Sequence, residues 1–370
     1  MATPQLLHVG IIGAGEVAQV IHLPVLSLLS HLYTVEIICD ISLKNVEHCA
    51  TKFHIPKATT TVSDVIKHPE VNVVFILTSD EFHAEYTIAS LQSGKHVMVE
   101  KPITLSIQSA QRIIAAEKAA NGAKVFVGYM RRYAPSFTQA FKREVASIPR
   151  ILYARSRDFS GPNAQFVSQS GTFQVQNTDF PPDAAAERAK RLDALFEEAF
   201  EGREATSEKK KYCRFLGSLG SHDISLMREM LGFPESVAGV SVNEPFYSAI
   251  FNYRNESGEP FAVTYESGID SVPNFDAHLA IYGEKKRVSI QYPSPYVKGL
   301  PITVKVDELN EHGEIQAREM LTSYEDAYTA ELRELHSCIV EGQQIKTTAE
   351  DALQDLKLFD LMYKKYDERA

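Results

Sequence analysis

The sequence predicts an α/β N-terminal domain built on a doubly wound parallel sheet, followed by an α+β domain with a large, mainly antiparallel open sheet. Three observations predict it. The glycine-rich stretch Gly13-Ala14-Gly15-Glu16-Val17-Ala18 directly follows the apolar run Val9-Gly10-Ile11-Ile12, which reads as a strand-to-helix turn. The N-terminal third alternates short β-branched runs with helical patterns, as a parallel sheet with crossover helices must. Residues 236–306 instead set several alternating runs in succession, without long helices between them.

After the first strand and its glycine turn, Tyr33–Cys39 reads as the second strand, with Asp40 at its end. Residues 42–53 read as a helix that Pro56 ends, and Val71–Leu77 as the third strand. A helix from Phe82 to Ser93 stops at Gly94, where a C-terminal glycine belongs. His96–Val99, a helix over 105–120 and Lys124–Val127 complete a first domain of residues 1–130. The second domain, 131–370, opens with a strand at Ile151–Ser156 and continues with strands at Ser248–Tyr253, Phe261–Tyr265 and His278–Tyr282. Helices over 324–341 and 348–366 close the chain; Thr348 and Asp351 form a capping-box-like start, and the last helix has the option of packing back on the first domain. Residues 164–212 are a polar excursion in which Asp183–Phe200 is a strong helix former with a stripe at Leu192, Leu195, Phe196 and Phe200. It reads equally as a lid, an oligomer contact or a surface excursion, and Lys209-Lys210-Lys211 as a solvated connector.

At 370 residues the chain is long enough for two domains with real cores. A net charge of −10 argues against nucleic acid or an anionic membrane surface as partner. No apolar stretch approaches the roughly 20 residues that span a bilayer. The N-terminus enters a strand at once, which leaves no room for a secretion signal. Cys39, Cys49, Cys213 and Cys338 are far apart and suggest neither a metal site nor a disulfide framework, so a reducing cytoplasm is expected.

The glycine turn is where the chemistry begins. Gly13 permits the tight turn, Gly15 lets the backbone approach a pyrophosphate, and Ala18 allows close helix–strand packing. The anion would face free N–H groups and the positive end of the helix, so Gly13, Ala14, Gly15, Glu16 and Val17 are read as cofactor-binding in a Rossmann domain. Asp40 stands where a carboxylate accepts from the adenosine ribose diol and repels a 2′-phosphate, which favours NAD. Ser42 and Lys44 soften that repulsion and leave NADP open. Glu100-Lys101-Pro102 follows a strand ending at Val99, at the carboxyl edge where ligands collect, and Pro102 restrains Lys101 toward an extended conformation. Arg131 and Arg132, bracketed by Tyr129 and Tyr133, follow the fifth strand; they either contact substrate or pair with carboxylates.

Taken together the motifs resemble the glucose–fructose oxidoreductase/inositol dehydrogenase (Gfo/Idh/MocA) family of two-domain dehydrogenases. The matching pieces are Gly13-Ala14-Gly15, His22-Leu23-Pro24-Val25-Leu26, Thr78-Ser79 with His83, Gly94-Lys95-His96-Val97, Glu100-Lys101-Pro102, Gly128–Tyr133 and Gly220-Ser221-His222-Asp223. Thr347–Ala352 resembles the usual start of the closing helix. The resemblance implies NAD(P)-dependent hydride transfer to or from a carbinol or carbonyl carbon of a sugar, polyol or related small molecule. It implies Lys101 as the residue that hydrogen-bonds the reacting oxygen and His222 as general acid/base, with Thr78, Ser79, His83 and Glu100 at the cofactor. It also implies a homodimer or larger homo-oligomer. An imidazole titrates near working pH and an ammonium stabilises developing alkoxide charge, so the pair suits alcohol oxidation.

The sequence departs from the family where many members carry aspartates around the histidine: Ser218 stands four residues before it and Ser225 three after. A serine can hydrogen-bond an imidazolium but cannot balance its charge. Glu229 replaces the family's tryptophan. Asp158, Asn163 and Ser218 join Tyr129, Arg131, Arg132 and His222 as candidate substrate contacts. A cofactor-sensing regulator of the same fold, or a reductase of small aldehydes, ketones or diols, are the rival readings.

Overall fold

Residues 5–368 are described by the computed structural model, and they divide into two units. The first takes in the chain up to Tyr129 together with Thr172–Cys213 and Glu331–Leu356. The second is Met130–Gly171, Arg214–Ala330 and the chain from Lys357. After the boundary near residue 130 the chain thus crosses between the units four more times, and most of the polar excursion belongs with the nucleotide-binding fold rather than with the second domain.

Six strands make the sheet of the first unit: β1 Leu7–Ile12, β2 Tyr33–Cys39, β3 Lys57–Thr59, β4 Val73–Ile76, β5 His96–Glu100 and β6 Val125–Gly128. Their order is β3-β2-β1-β4-β5-β6 and every pairing is parallel. The central strand β4 and the edge strand β6 are both buried at every residue, as a sheet covered on both faces requires. The strand order reverses between β1 and β4, the switch point where such sheets leave a crevice. A helix runs from Glu16, passes through a π-helical segment at Ala18–His22 and continues as α1, Leu23–Leu28. Then come α2 Leu43–Phe53, α3 Val62–Ile66, α4 Asp80–Gln92 and α5 Ile107–Ala119. Ser42 caps α2 by accepting the Asn45 N–H at 3.1 Å, and Gly94 follows α4 at φ +71°. The short β3 and α3 lack a readable period and were not anticipated.

The second unit holds α6 Lys142–Ala146 and α7 Asn163–Ser168. The excursion of the first contributes α8 Ala184–Phe200 and α9 Ser207–Phe215, the latter running on to α10 Ser221–Leu231 in the second. Eight strands form the second sheet: β7 Ile151–Ser160, β8 Ser236–Asn243, β9 Phe246–Arg254, β10 Pro260–Ile269, β11 Phe275–Gly283, β12 Lys286–Tyr292, β13 Thr303–Leu309 and β14 Ile315–Leu321. The order is β14-β13-β12-β11-β7-β10-β9-β8, with only the β7–β10 pair parallel. One face is buried, by α10 among others. The other is half-exposed and carries a charged ladder, with Arg157 bound to Glu266 at 2.6 Å and to Asp276 at 3.3 Å. That face is therefore mixed rather than apolar. The chain closes with α11 Ala327–Val340 and α12 Ala349–Asp367, the latter opened by the Asp351 N–H on Thr348 Oγ1 at 3.1 Å. Residues 331–356 return to the first unit, where Leu332 O accepts the Tyr33 hydroxyl at 2.6 Å and Thr347 O accepts the Val127 N–H at 2.9 Å.

α8 of the excursion docks on α4 and α5. Glu198 accepts from the hydroxyls of Ser106 at 2.6 Å and Ser109 at 2.5 Å and pairs with Arg112. Leu195, Phe196 and Phe200, three of the four stripe residues, are buried. All four cysteines are free and buried; burial first, then the nearby Asp40 charge, pushes the Cys39 thiol up to about 12, which marks it as packing. Among the described residues no helix is long and apolar enough to cross a membrane.

An ion cluster staples the second unit. Glu144 on α6 is met by Lys286 of β12 at 2.7 Å and Arg318 of β14 at 2.5 Å. Burial alone would raise its carboxyl, but these hydrogen bonds and Arg143 hold it at about 2, against an ordinary 4.5. A depressed carboxylate stabilises fully above its unfolded value and loses that contribution as pH falls through the folded one. Glu144→Gln is expected to cost about 3 kcal/mol near neutrality, with the gap to wild type closing as pH falls from about 4.5 toward 2. Melting curves across that window test it; a gap that ignores pH would show that charge is irrelevant there.

Candidate active site

The crevice at the switch point of the first sheet is a cavity of ≈ 230 Å³ lined by Gly13, Gly15, Asp40, Ile41, Val62, Thr78, Ser79, Phe82 and Tyr86 among others. Gly13 sits at φ +109°, and a Cβ there would lie 2.5 Å from Leu77 O. Gly15 differs: a Cβ on it would meet nothing within 4 Å, so its missing side chain opens space toward the helix N-terminus. The Asp40 carboxylate binds the Ala14 N–H at 2.7 Å and the Ser42 N–H at 2.9 Å, tying the glycine turn to the start of α2. Each of its oxygens keeps a second lone pair for a ribose hydroxyl. Phe82 and Tyr86 stack with ring centroids 5.6 Å apart and give the cavity an apolar wall. Thr78 Oγ1 is buried and unpartnered among the described residues, an acceptor and donor awaiting a ligand. Open glycine backbone, a carboxylate at the strand end and an orphaned hydroxyl fit a bound dinucleotide.

The two glycines should separate by experiment. Gly13→Ala is expected to destabilise the fold by about 1–3 kcal/mol, because an alanine must strain at that φ and against Leu77 O. Gly15→Ala should leave the melting temperature nearly unchanged and weaken NADH binding about tenfold by occupying the space itself. Melting curves and calorimetric NADH titrations check both; equal behaviour of the two variants would undo the distinction.

Behind the cavity, Lys101 is fastened from both sides. Glu100 is buried, accepting the Lys101 N–H at 3.1 Å through one carboxylate oxygen and facing His22 Nε2 at 2.7 Å through the other. Burial alone would raise its carboxyl; the His22 hydrogen bond and the positive charges of His22 and Lys101 outweigh that and hold it below the ordinary range, so it stays ionised. On the other side, the buried His83 ring stands between two carbonyls, with Nδ1 2.7 Å from Pro102 O and Nε2 2.9 Å from Thr78 O. The Lys101–Pro102 peptide is cis. Glu100 and His83 thus brace the Lys101–Pro102 segment, and neither lines the cavity. Ser79 binds Glu81 at 2.8 Å, and Glu16 meets Gln174 in the amide orientation that suits both. Val17 continues the helix that Glu16 begins, and Tyr129 is buried after β6.

In the second unit, His222 is half-exposed on the first turn of α10. Ser218 is exposed and donates to Phe215 O at 3.3 Å, and Ser225 is buried and donates to His222 O at 3.3 Å, so both hydroxyls are used on backbone. Arg131 and Asp158 come together, but with each other: Arg131 donates to Asp158 at 2.7 Å and to Asp223 at 2.5 Å, all three buried. Arg132 pairs with Glu229, which also takes Lys142 at 2.6 Å, so the residue in the tryptophan's place anchors two cations. Asn163 is exposed at the start of α7 and donates to the Tyr296 hydroxyl at 3.0 Å.

Sequence reasoning missed Gln19, His22 and Asp179 as functional neighbours. A signal existed for the first two: Gln19 and His22, one turn apart, are polar residues inside a run that is otherwise apolar on that face. Nothing local marked Asp179, whose partners lie far away in sequence.

Comparison with known proteins matches both ends of the chain. An oxidoreductase-family model for the NAD-binding Rossmann fold matches residues 7–129, and one for the family's C-terminal α/β domain matches 198–370. Myo-inositol 2-dehydrogenase of Thermotoga maritima is 23% identical over 368 residues, 98% of this chain and 97% of that protein. The Bacillus subtilis oxidoreductase YrbE is 29% identical over 166 residues, 44% of this chain and only about half, 48%, of its own length. The solved structure of levoglucosan dehydrogenase, in complex with NADH and levoglucosan, covers 99% of this chain and 98% of its own at a TM-score of 0.73 and 18% identity, a likeness of fold. With family models matching residues 7–129 and 198–370, the chain belongs to the Gfo/Idh/MocA oxidoreductase family.

Proposed function

We propose that the protein is an NAD(P)-dependent dehydrogenase that moves a hydride between nicotinamide and a carbinol or carbonyl carbon of a sugar, polyol or related small molecule, with Lys101 and His222 as its catalytic pair. The observation that carries the reading is the Glu100–His22 pair. A buried ionised carboxylate that holds the Lys101 N–H has no use in a surface loop, but it does fix the backbone of Lys101 just past β5, at the carboxyl edge of the sheet. Relatives named as dehydrogenases of inositol and levoglucosan support the substrate class.

The bound dinucleotide supplies the hydride acceptor or donor. Lys101 donates a hydrogen bond to the reacting oxygen and stabilises negative charge growing on it. His222 takes the hydroxyl proton in oxidation and returns it in reduction. Ser218 adds no charge to support an imidazolium, so His222 works with less assistance than in relatives that keep the aspartate. The exposed Asn163 and Ser218 are the substrate-facing candidates, while Tyr129 is buried and Arg131, Arg132 and Asp158 are buried in ion pairs. Exposed Leu152 and Ile250 on the second sheet suit a contact with a second copy.

The test is near-ultraviolet absorbance of the nicotinamide across sugars, polyols and small carbonyls, in both directions, with NAD(H) and NADP(H). Turnover names the substrate class. Tight NADH binding with no turnover on any compound would favour the cofactor-sensing regulator instead.

A further inference from the structure

Residues 172–179 lie as an extended strap across the first unit, and alternate residues anchor it. Phe173 receives Lys52 Nζ over its ring at 4.0 Å. Val175 is held through both backbone polar groups by the amide of the buried Gln19, at 2.8 and 2.9 Å, while the same amide donates to Ala14 O in the glycine turn at 2.7 Å. Asn177 donates twice to Asn45 Oδ1, at 2.8 and 3.1 Å. The period of two then delivers Asp179 to the N-terminus of α2. Its carboxylate accepts the Ser42 hydroxyl at 2.5 Å and the Lys44 N–H at 3.1 Å.

Those are the groups a 2′-phosphate would need. In a sheet of this kind the phosphorylated ribose lies past the end of β2, where the helix that follows offers N–H donors and positive dipole. Here four donors at the start of α2 are taken: Ser42 N–H by Asp40, Asn45 N–H by Ser42 Oγ, Lys44 N–H and the Ser42 hydroxyl by Asp179. Ser42 is thus bracketed by two carboxylates, one from the Rossmann strand and one from the strap. We infer that Asp179 is a second determinant of cofactor choice, its carboxylate standing in for the 2′-phosphate so that the cleft accepts NAD(H) and rejects NADP(H). The inference rests on the cofactor reading above. The Ser42 hydrogen bond, with the Lys44 N–H and charge, also holds the Asp179 carboxyl below its ordinary range, so the repelling charge persists at any working pH.

Calorimetric titration of the full chain with NADH and with NADPH tests this without reference to turnover. Wild type should prefer NADH. Asp179→Asn keeps an acceptor for Ser42 but removes the charge; it should tighten NADPH about tenfold and leave NADH within about twofold. Asp179→Ala, which also frees the Lys44 N–H, should do at least as much, and Asp40→Ser reports the contribution of the strand carboxylate. NADPH affinity unchanged in both Asp179 variants would overturn the inference, as would NADH and NADPH weakening together, which marks the strap as support alone. Wild type that prefers NADPH refutes it while leaving the cofactor reading intact. Wild type that binds neither refutes both.

Discussion

Lys101→Met is expected to lower kcat by about a thousandfold or more while changing NADH affinity by no more than about threefold. The size follows from what the ammonium does in the proposed reaction. A donor aimed at an oxygen that becomes alkoxide-like is stronger in the transition state than in the ground state, so its loss falls on kcat. Methionine keeps length and apolar volume, which limits the structural consequences. Lys101→Arg should not rescue, because a planar fork cannot occupy the place of a point charge on the same short lever. The surroundings make the effect large. Glu100 and His22 hold the backbone of Lys101 on one side and His83 holds Pro102 on the other, so the amine is delivered by a fixed frame rather than by a flexible loop. Steady-state rates with calorimetric NADH titration read the two quantities separately. A variant with wild-type kcat would remove Lys101 from the chemistry; one that loses NADH binding in parallel would make it a cofactor ligand.

Most of the first sheet was legible because its strands are continuous apolar runs closed by glycine, proline or a carboxylate, and each such signal is local. The glycine turn, Asp40 and Glu100-Lys101-Pro102 were legible for the same reason: the motif and the backbone it needs are adjacent in sequence. What was not legible depends on distant partners. The 172–179 strap has no period of its own kind, since its alternation matches Gln19, Asn45 and Ser42 rather than a core, and its docking placed the excursion with the first unit. Arg131 and Arg132, bracketed by tyrosines past a strand end, read equally as substrate contacts or as partners of carboxylates, and Asp158 as a separate candidate contact. Only the fold shows that Asp223, beside His222, completes a buried triad with Arg131 and Asp158. Likewise Glu229, which read as a lost tryptophan, is a gained anchor for Arg132 and Lys142. The short β3 fell below the length at which periodicity says anything.

Arg131→Met should be the most destabilising single change in the second unit, at about 4 kcal/mol near neutral pH. The guanidinium is 2% exposed and lies between Asp158 and Asp223, which are 0% and 2% exposed, with the Tyr292 ring 5.4 Å away. Burial alone would weaken its charge, but the two carboxyls more than offset that and raise its pKa above the ordinary value. Asp223 shows the opposing strain: burial first and the neighbouring Asp158 second raise its carboxyl well above the usual range, against the pull of Arg131. A carboxyl with a raised folded value favours its protonated form in the native state, so its contribution is fully present below the unfolded value and fades as pH rises through the folded one. Without Arg131 the Asp223 carboxyl is driven further up. The variant's loss of stability should therefore grow toward about pH 8 and shrink toward about pH 5, where the native state can hold the proton that neutralises Asp223. Asp223→Asn in the same background should recover part of the loss by removing one of the two buried charges, a coupling that a double-mutant cycle measures directly. Urea unfolding of wild type, the two single variants and the double variant at both pH values decides the matter. If Arg131→Met keeps wild-type stability and instead raises KM for the substrate, the guanidinium serves the ligand; if it unfolds as expected with KM unmoved in the surviving protein, the triad is the frame on which α10, and with it His222, is hung against β7.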